Sequence, residues 1–417
     1  MNLLKRIFSP TILSISFLLL IYTFYKSEIV WDGNKRSYYI IYYLISSILI
    51  FFSIITFFIN QKIKEYLIIF GIILVVSFYL FEGYSTFKEQ LSTEQPSKEQ
   101  LLKEQLYEKQ TGNKWDRRSK FEIYNDLKKT NNGIVVTIPT NHYINENQSI
   151  FAFSGISNSQ TILCNENGYY SIYQSDRYGF NNPDNQWDER EIEYLLVGDS
   201  FALGQCVNRP NDISSVLRTL SNKSVLNLGQ SGSGPLIEYT TLREYLNKNV
   251  KKVLWIYFEG NDLEDLVIEK KNNILINYLN DLNFTQNLKL KQNEIDDLAI
   301  NFIKEVERKR ESFNNKLIKF IKITNTRILI LEALTLEPTP ALEFKKILQL
   351  TKELTDKNNS KLYFLYLPEY NRYKINYDNT NENLVKKIVT ELKISFIDIH
   401  KEVFEKEQNP LKLFPFE

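Results

Sequence analysis

Cysteine and histidine are nearly missing from this chain. Among its 417 residues there are two Cys and two His. Two thiols, Cys164 and Cys206, exclude a disulfide scaffold and a cysteine-rich metal site. They leave open either one disulfide, if the domain is extracytoplasmic, or a pair of buried free thiols. His142 and His400 cannot build a histidine-rich ligand set, so no metal and no other cofactor is called for. Any catalytic triad has only these two imidazoles to draw on. An excess of charge is missing too: 51 basic against 50 acidic residues, intermixed, give a net +1. That balance argues against a nucleic-acid partner, which needs a basic face.

Long apolar runs, by contrast, are present, and all lie at the N-terminus. Ile7–Tyr25 and Tyr38–Asn60 are almost free of charge, and Tyr66–Phe81 is shorter but strongly apolar. Crossing the hydrocarbon takes about 20 residues, so residues 1–83 read as a membrane anchor of three transmembrane helices. No small-x-small cleavage site follows the first run, and a second run comes at once, which favours an anchor over a signal peptide. Lys5 and Arg6 favour a cytoplasmic N-terminus, while Lys35 and Arg36 oppose it. The expectation is a cytoplasmic N-terminus, a soluble domain on the extracytoplasmic side and a place in a bacterial inner (plasma) membrane. With no charge inside the runs, a transport pathway fits poorly.

Residues 84–130 are a polar, charge-rich helical stalk interrupted by Pro96, with one more short helix over Phe121–Lys128. Residues 131–190 form a β-rich lead-in, with strands in "GIVVTIPT" and at the end of "SGISNSQTILC". The aromatic stretch Tyr169–Asp184 is either a lip whose ring faces suit sugars or a packed edge hairpin. His142, in "PTNHYI", reads as a surface or satisfied polar residue.

From residue 191 to residue 417 strands alternate with helices, the pattern of a parallel sheet covered on both faces. Strands are expected near Tyr194–Val197, Val225–Leu228, Val253–Phe258, Arg327–Leu331, Leu362–Leu367 and Ser395–Asp398. Ile295, Leu298, Phe302, Val306, Phe313, Leu317 and Phe320 recur at helical steps and predict one amphipathic face. Three strands run directly into polar, glycine-bearing turns. The first is "EIEYLLVGDSFALGQ", where Gly198, Asp199 and Ser200 follow the strand without a spacer. A strand ending in a tight turn is a common way to expose a nucleophilic serine. It is not the Gly-x-Ser-x-Gly elbow, because Ala202 stands at the last position. The second is "SVLNLGQSGSGP", with Asn227, Gly229 and Gly232. The third is "KVLWIYFEGNDLEDL", with Gly260, Asn261 and Asp262.

Gly-Asp-Ser, Asn-x-Gly-x-x-Gly and Gly-Asn-Asp, in that order and each after a strand, resemble the SGNH/GDSL hydrolase superfamily from Glu191 to the C-terminus. The resemblance implies a flavodoxin-like three-layer α/β/α fold, with Ser200 as the nucleophile. It also implies an oxyanion hole built from the backbone N–H groups of Ser200 and Gly232 and the side-chain amide of Asn261. Such an anion needs several fixed donors; glycine lets backbone come close and Asn donates without adding charge.

The family's fourth block, Asp-x-x-His, is not matched. "ISFIDIHKEVFEKEQNPLKLFPFE" offers Asp398 and His400, two residues apart, with Lys401 at the expected His position. On a helix, a spacing of two sends side chains to different faces. Either Asp398 and His400 supply the carboxylate and the base in distorted form, or the histidine lies beyond Glu417; the second reading is preferred. The expected function is a membrane-anchored serine esterase acting on ester groups, O-acetyl above all, of envelope glycans or lipids. The alternatives are an O-acyltransferase on an envelope polysaccharide and a glycan-binding pseudoenzyme. The partners expected are the lipid bilayer and an ester-bearing glycan or small acyl ester.

Overall fold

The computed structural model describes residues 2–414 except 31–32, 34–35, 95, 145–147, 247–248, 311–312, 335–338, 374–376 and 378–380. The chain divides into two compact units: 1–95 with 312–336, and 96–311 with 337–417.

The first unit begins with α1 (Asn2–Phe24), α2 (Arg36–Ile55) and α3 (Gln61–Glu94). Two helices are long and apolar enough to cross a bilayer: Leu3–Val30, which extends α1 by a π-helical turn, and Gln61–Lys88 within α3, each 28 residues. The stretch between them, Tyr39–Ile55, is shorter. The expectation of three comparable spans is therefore met by two. The shortest apolar run in the sequence lies inside the longest helix, because α3 continues through the polar residues on both sides of it. Hydroxyls within these helices bond backward to their own carbonyls, as Ser16 does to Ile12 (2.8 Å) and Thr23 to Leu19 (2.8 Å). Such a bond satisfies a hydroxyl without any partner outside the helix.

The second unit opens with α4 (Lys98–Thr111) and α5 (Lys120–Lys128). Ser97 caps α4, Gly112 ends it in the left-handed region, and a reciprocal Ser119–Glu122 box starts α5. A small sheet follows: β1 (Ile134–Val136), β2 (Gln160–Ile162) and β3 (Ile172–Gln174). Here β1 pairs parallel and β3 antiparallel with β2. Cys164, just past β2, is disulfide-bonded to Cys206.

The larger sheet is built from β4 (Ile192–Gly198), with α6 (Ser200–Leu203) and α7 (Ile213–Ser221) after it; β5 (Val225–Asn227) with α8 (Pro235–Tyr245); and β6 (Val250–Phe258) with α9 (Asp262–Glu269), α10 (Asn273–Asn280) and α11 (Gln292–Arg310). The segment 312–336 then belongs to the first unit, as α12 (Phe313–Ile321) and α13 (Thr324–Leu334). The second unit resumes with α14 (Ala341–Lys357), β7 (Lys361–Leu367), α15 (Glu382–Glu391), β8 (Ser395–Asp398) and α16 (Ile399–Glu402). All strand pairs are parallel and the order is β5-β4-β6-β7-β8.

Two expectations are corrected. Arg327–Leu331 is helical, within α13, and contributes no strand. A short apolar run is ambiguous between strand and helix, and here the Glu82 side chain, accepting from the first-turn N–H groups of Asn325 and Thr326, favours the helix. The amphipathic series from Ile295 to Phe320 is divided between α11 and α12 rather than carried by one helix.

Burial explains why the sheet is parallel. Val253, Trp255 and Tyr257 of β6 point to one face, with Phe364 and Tyr366 of β7, under Leu236, Leu242, Phe344 and Ile347. Leu196, Ala202, Val225 and Ile256 pack on the other. A strand buried on both faces reads as a continuous apolar run, as these do, and needs helical crossovers.

Candidate active site

Every strand of the larger sheet ends on the same edge, and the direction of strand addition reverses at β4, which lies between β5 and β6. In open parallel sheets, ligands bind outside the carboxyl ends at such a switch point. The three loops leaving β5, β4 and β6 carry the three sequence blocks. Adjacent strands lie about 4.8 Å apart, so these loops start side by side.

The first turn is tight by necessity. A Cβ on Gly198 would sit 2.8 Å from both the Ala202 Cβ and the Ile256 carbonyl oxygen. Asp199 caps α6, its Oδ1 accepting from the Phe201 N–H at 2.8 Å. Ser200, the first residue of α6, donates from Oγ to Asp199 Oδ2 at 3.3 Å.

The second block is pressed against the first. A Cβ on Gly229 would lie 2.5 Å from the Leu203 nitrogen. Asn227 ties the two loops, donating to the Ala202 carbonyl (2.6 Å) and accepting from the Gly229 N–H (2.8 Å). Gly232 has φ +75°, in the left-handed region, and any side chain there would strike Asn141 and Pro139. The lead-in thus lies directly on this loop: Thr140 N–H donates to the Ser231 carbonyl at 2.8 Å.

The third block closes the set. Asp262 Oδ2 accepts from the Phe258 N–H at 2.9 Å, shaping the turn. Asn261 donates from Nδ2 to Asp265 Oδ2 at 2.6 Å. That bond uses one amide hydrogen and orients the other. Behind the loops, Glu269 accepts from the N–H groups of Gly234 (2.6 Å) and Leu236 (2.8 Å), joining α9 to the start of α8. The Phe201 and Phe258 rings pack tilted against each other with centroids 4.3 Å apart.

Five carboxyl groups lie behind this rim: Asp199, Glu238, Asp262, Asp265 and Glu269. Burial, more than their mutual repulsion, raises them all. Asp199 and Asp265 are each pushed up to about 6 and Glu269 to about 8, with Asp262 and Glu238 well above the usual carboxylate range. A pH dependence follows. Glu269 keeps its proton in the folded chain up to about 8, whereas the unfolded chain loses it near 4.5. Between those values the folded state holds the extra proton, so stability falls as pH rises. Raising the pH from about 6.5 to about 8 is expected to cost about 2 kcal/mol through Glu269 alone, or a few degrees of melting temperature. Thermal unfolding of the full chain in detergent checks this, and Glu269→Gln should remove that share of the dependence and leave the share of Glu238 and Asp262. A variant as steep as the parent would show that another group is responsible.

Asp398 and His400 stand apart from this set. β8 lies three strand spacings from β4, about 14 Å at the usual separation. Asp398 caps α16 through the Lys401 N–H (3.3 Å) and pairs with Lys386 (2.9 Å). His400 meets the Tyr373 hydroxyl through Nδ1 (3.0 Å) and Glu405 through Nε2 (3.1 Å). The structure therefore engages the two residues with other partners rather than with each other. His142, on the segment overlying Gly232, bonds through Nδ1 to Asn141 Oδ1 (3.2 Å) and stands edge-on to Phe302.

The aromatic stretch before the first block is a packed support. Phe180 is fully buried, and Tyr178 packs among Trp187 and Tyr245. Asn182 bonds to both backbone groups of Asn227, and Asp176 accepts from the Asn182 amide and the Trp187 indole. Sequence reading missed Asp265, Asn141 and Glu269 as site neighbours. Only Asp265 left a signal: it stands four residues after Asn261 at a helix start, the spacing at which helical side chains meet. No protein-family model and no curated protein matches this chain.

Proposed function

We propose that the chain is a membrane-anchored serine hydrolase of SGNH/GDSL type, with its soluble unit on the extracytoplasmic side. One observation carries the reading. Ser200, Gly232 and Asn261 occupy the carboxyl ends of three adjacent parallel strands at the switch point, an arrangement the motif order alone did not require. The strand order, counted from β4 as 2-1-3-4-5, supports a flavodoxin-like core. The Cys164–Cys206 bond supports an oxidising compartment. Counting α2 as a third span puts the two ends of the anchor on opposite sides of the bilayer.

In this reading the Ser200 oxygen attacks an ester carbonyl carbon while its proton passes to a base. The N–H groups of Ser200 and Gly232 and the Asn261 amide hold the oxyanion. The alcohol leaves with a proton, and water then cleaves the acyl-serine. A sugar hydroxyl in place of water would make the same site an O-acyltransferase. The substrate class is an acyl ester, O-acetyl first, on an envelope glycan or lipid.

The partners taken by Asp398 and His400 favour a second reading, in which the same rim binds an acylated glycan without turning it over. A fluorophosphonate probe separates the two. An adduct on Ser200, located by mass spectrometry of the full chain, is the expected result. Asn261→Ala should slow turnover of 4-nitrophenyl acetate by about 10²- to 10³-fold, the usual loss for one oxyanion donor. A chain that takes no label leaves the binding scaffold as the function.

A further inference from the structure

Helices α12 and α13 interrupt the second unit yet belong with the membrane helices. Their attachment is specific. Glu82 of α3 is only 1% exposed, although it lies inside the 28-residue apolar helix Gln61–Lys88. A buried carboxylate in such a helix marks a built contact. Its Oε2 accepts from the Thr326 N–H (2.8 Å) and hydroxyl (2.8 Å), and its Oε1 accepts from the Asn325 N–H (3.1 Å). These donors form the first turn of α13, so one helix caps another. Tyr79 adds a hydrogen bond to the Ile321 carbonyl (3.0 Å).

From that cap α13 runs back along α3 toward its N-terminal half. Leu329 and Ile330 of α13 face Phe70, Leu74 and Phe78 across an apolar groove of about 700 Å³. Ile328, Leu329 and Ile330 are 46%, 49% and 42% exposed, and Leu329 and Ile330 share the apolar groove with α3. Lys319 in the last turn of α12 and Lys322 just after it are exposed before the cap. A helix with a polar first turn, Arg327 included, and an apolar stretch after it, joined to a lysine-bearing one, suits the boundary of a phospholipid bilayer, with Arg327 and the lysines at the headgroups and Ile328, Leu329 and Ile330 among the acyl chains.

We propose that α12 and α13 are a further membrane-contact element. It inserts α13 beside α3, and phospholipid acyl chains fill the groove. The inference rests on the reading that α3 crosses the bilayer. Its occupant is the lipid already surrounding α3, because the groove opens on the same apolar surface.

The test uses the full chain in vesicles of phosphatidylcholine and phosphatidylglycerol whose acyl chains carry bromine, which quenches nearby tryptophan. Leu329→Trp and Val75→Trp are compared with the parent, so that the four native tryptophans cancel. Both added rings are expected to lose emission in brominated vesicles and to resist aqueous iodide. Quenching at residue 75 with none at 329 overturns the proposal and leaves the anchor intact. Quenching at neither position overturns the anchor reading itself. Glu82→Ala should abolish quenching at 329 and spare it at 75; unchanged quenching at 329 would remove Glu82 from the account.

Discussion

Ser200→Ala is expected to abolish turnover of 4-nitrophenyl acetate by the full chain, a loss of about 10⁴-fold or more, as when a covalent nucleophile is removed. The argument is positional. Gly198 admits no side chain, Asp199 caps α6, and the hydroxyl of the next residue is left at the sheet's rim. Gly229 and Asn227 bring the second loop against it, and Asn261 comes from the strand on the other side. The substitution removes one oxygen and leaves α6 capped by Asp199, so a folded, silent protein is the expected product. Turnover that survives in Ser200→Ala would refute the nucleophile assignment. A parent chain at the level of Ser200→Ala would instead favour the binding scaffold.

Cys206→Ser is expected to lower the stability of the second unit by about 4 kcal/mol. The bond closes a loop of 42 residues in sequence separation, and cross-linking that length removes most of its freedom in the unfolded chain. It also holds the loop after α6, the helix that carries Ser200, to the end of β2. Asn167 reinforces the attachment by donating to the Cys206 carbonyl at 2.9 Å. In a thermal melt the variant should unfold roughly 10 °C below the parent. Reductant should bring the parent down to the variant and leave the variant unchanged. A parent indifferent to reductant would show that the bond carries no stability.

The expected strands Tyr194–Val197, Val225–Leu228, Val253–Phe258, Leu362–Leu367 and Ser395–Asp398 each overlap an observed one. They were legible because a strand buried on both faces is a compact apolar run ending in turn residues. Arg327–Leu331 has the same local appearance and became a helix. What separates the cases is a contact 244 positions away in sequence, between Glu82 and Thr326, which no local pattern records. The pairing of the two cysteines is of the same kind, since spacing cannot say which thiols meet. The amide of Asn261 could be named from its motif, but not the carboxylate that orients it. Asp398 and His400 looked like a displaced pair, and only their surroundings show each one occupied elsewhere.

By itself, the sequence determined the apolar N-terminal helices, the alternation that makes a parallel sheet, and the three polar turns that follow its strands. These depend on periodicity and on the conformations glycine and Asn allow, which are properties of neighbouring residues. Tertiary structure alone decided the strand order that sets those turns side by side, the disulfide, the carboxylates gathered behind the rim and the return of α12 and α13 to the first unit. Each of those joins residues far apart in the chain, and such contacts form only where burial of the whole surface repays the ordering of both partners.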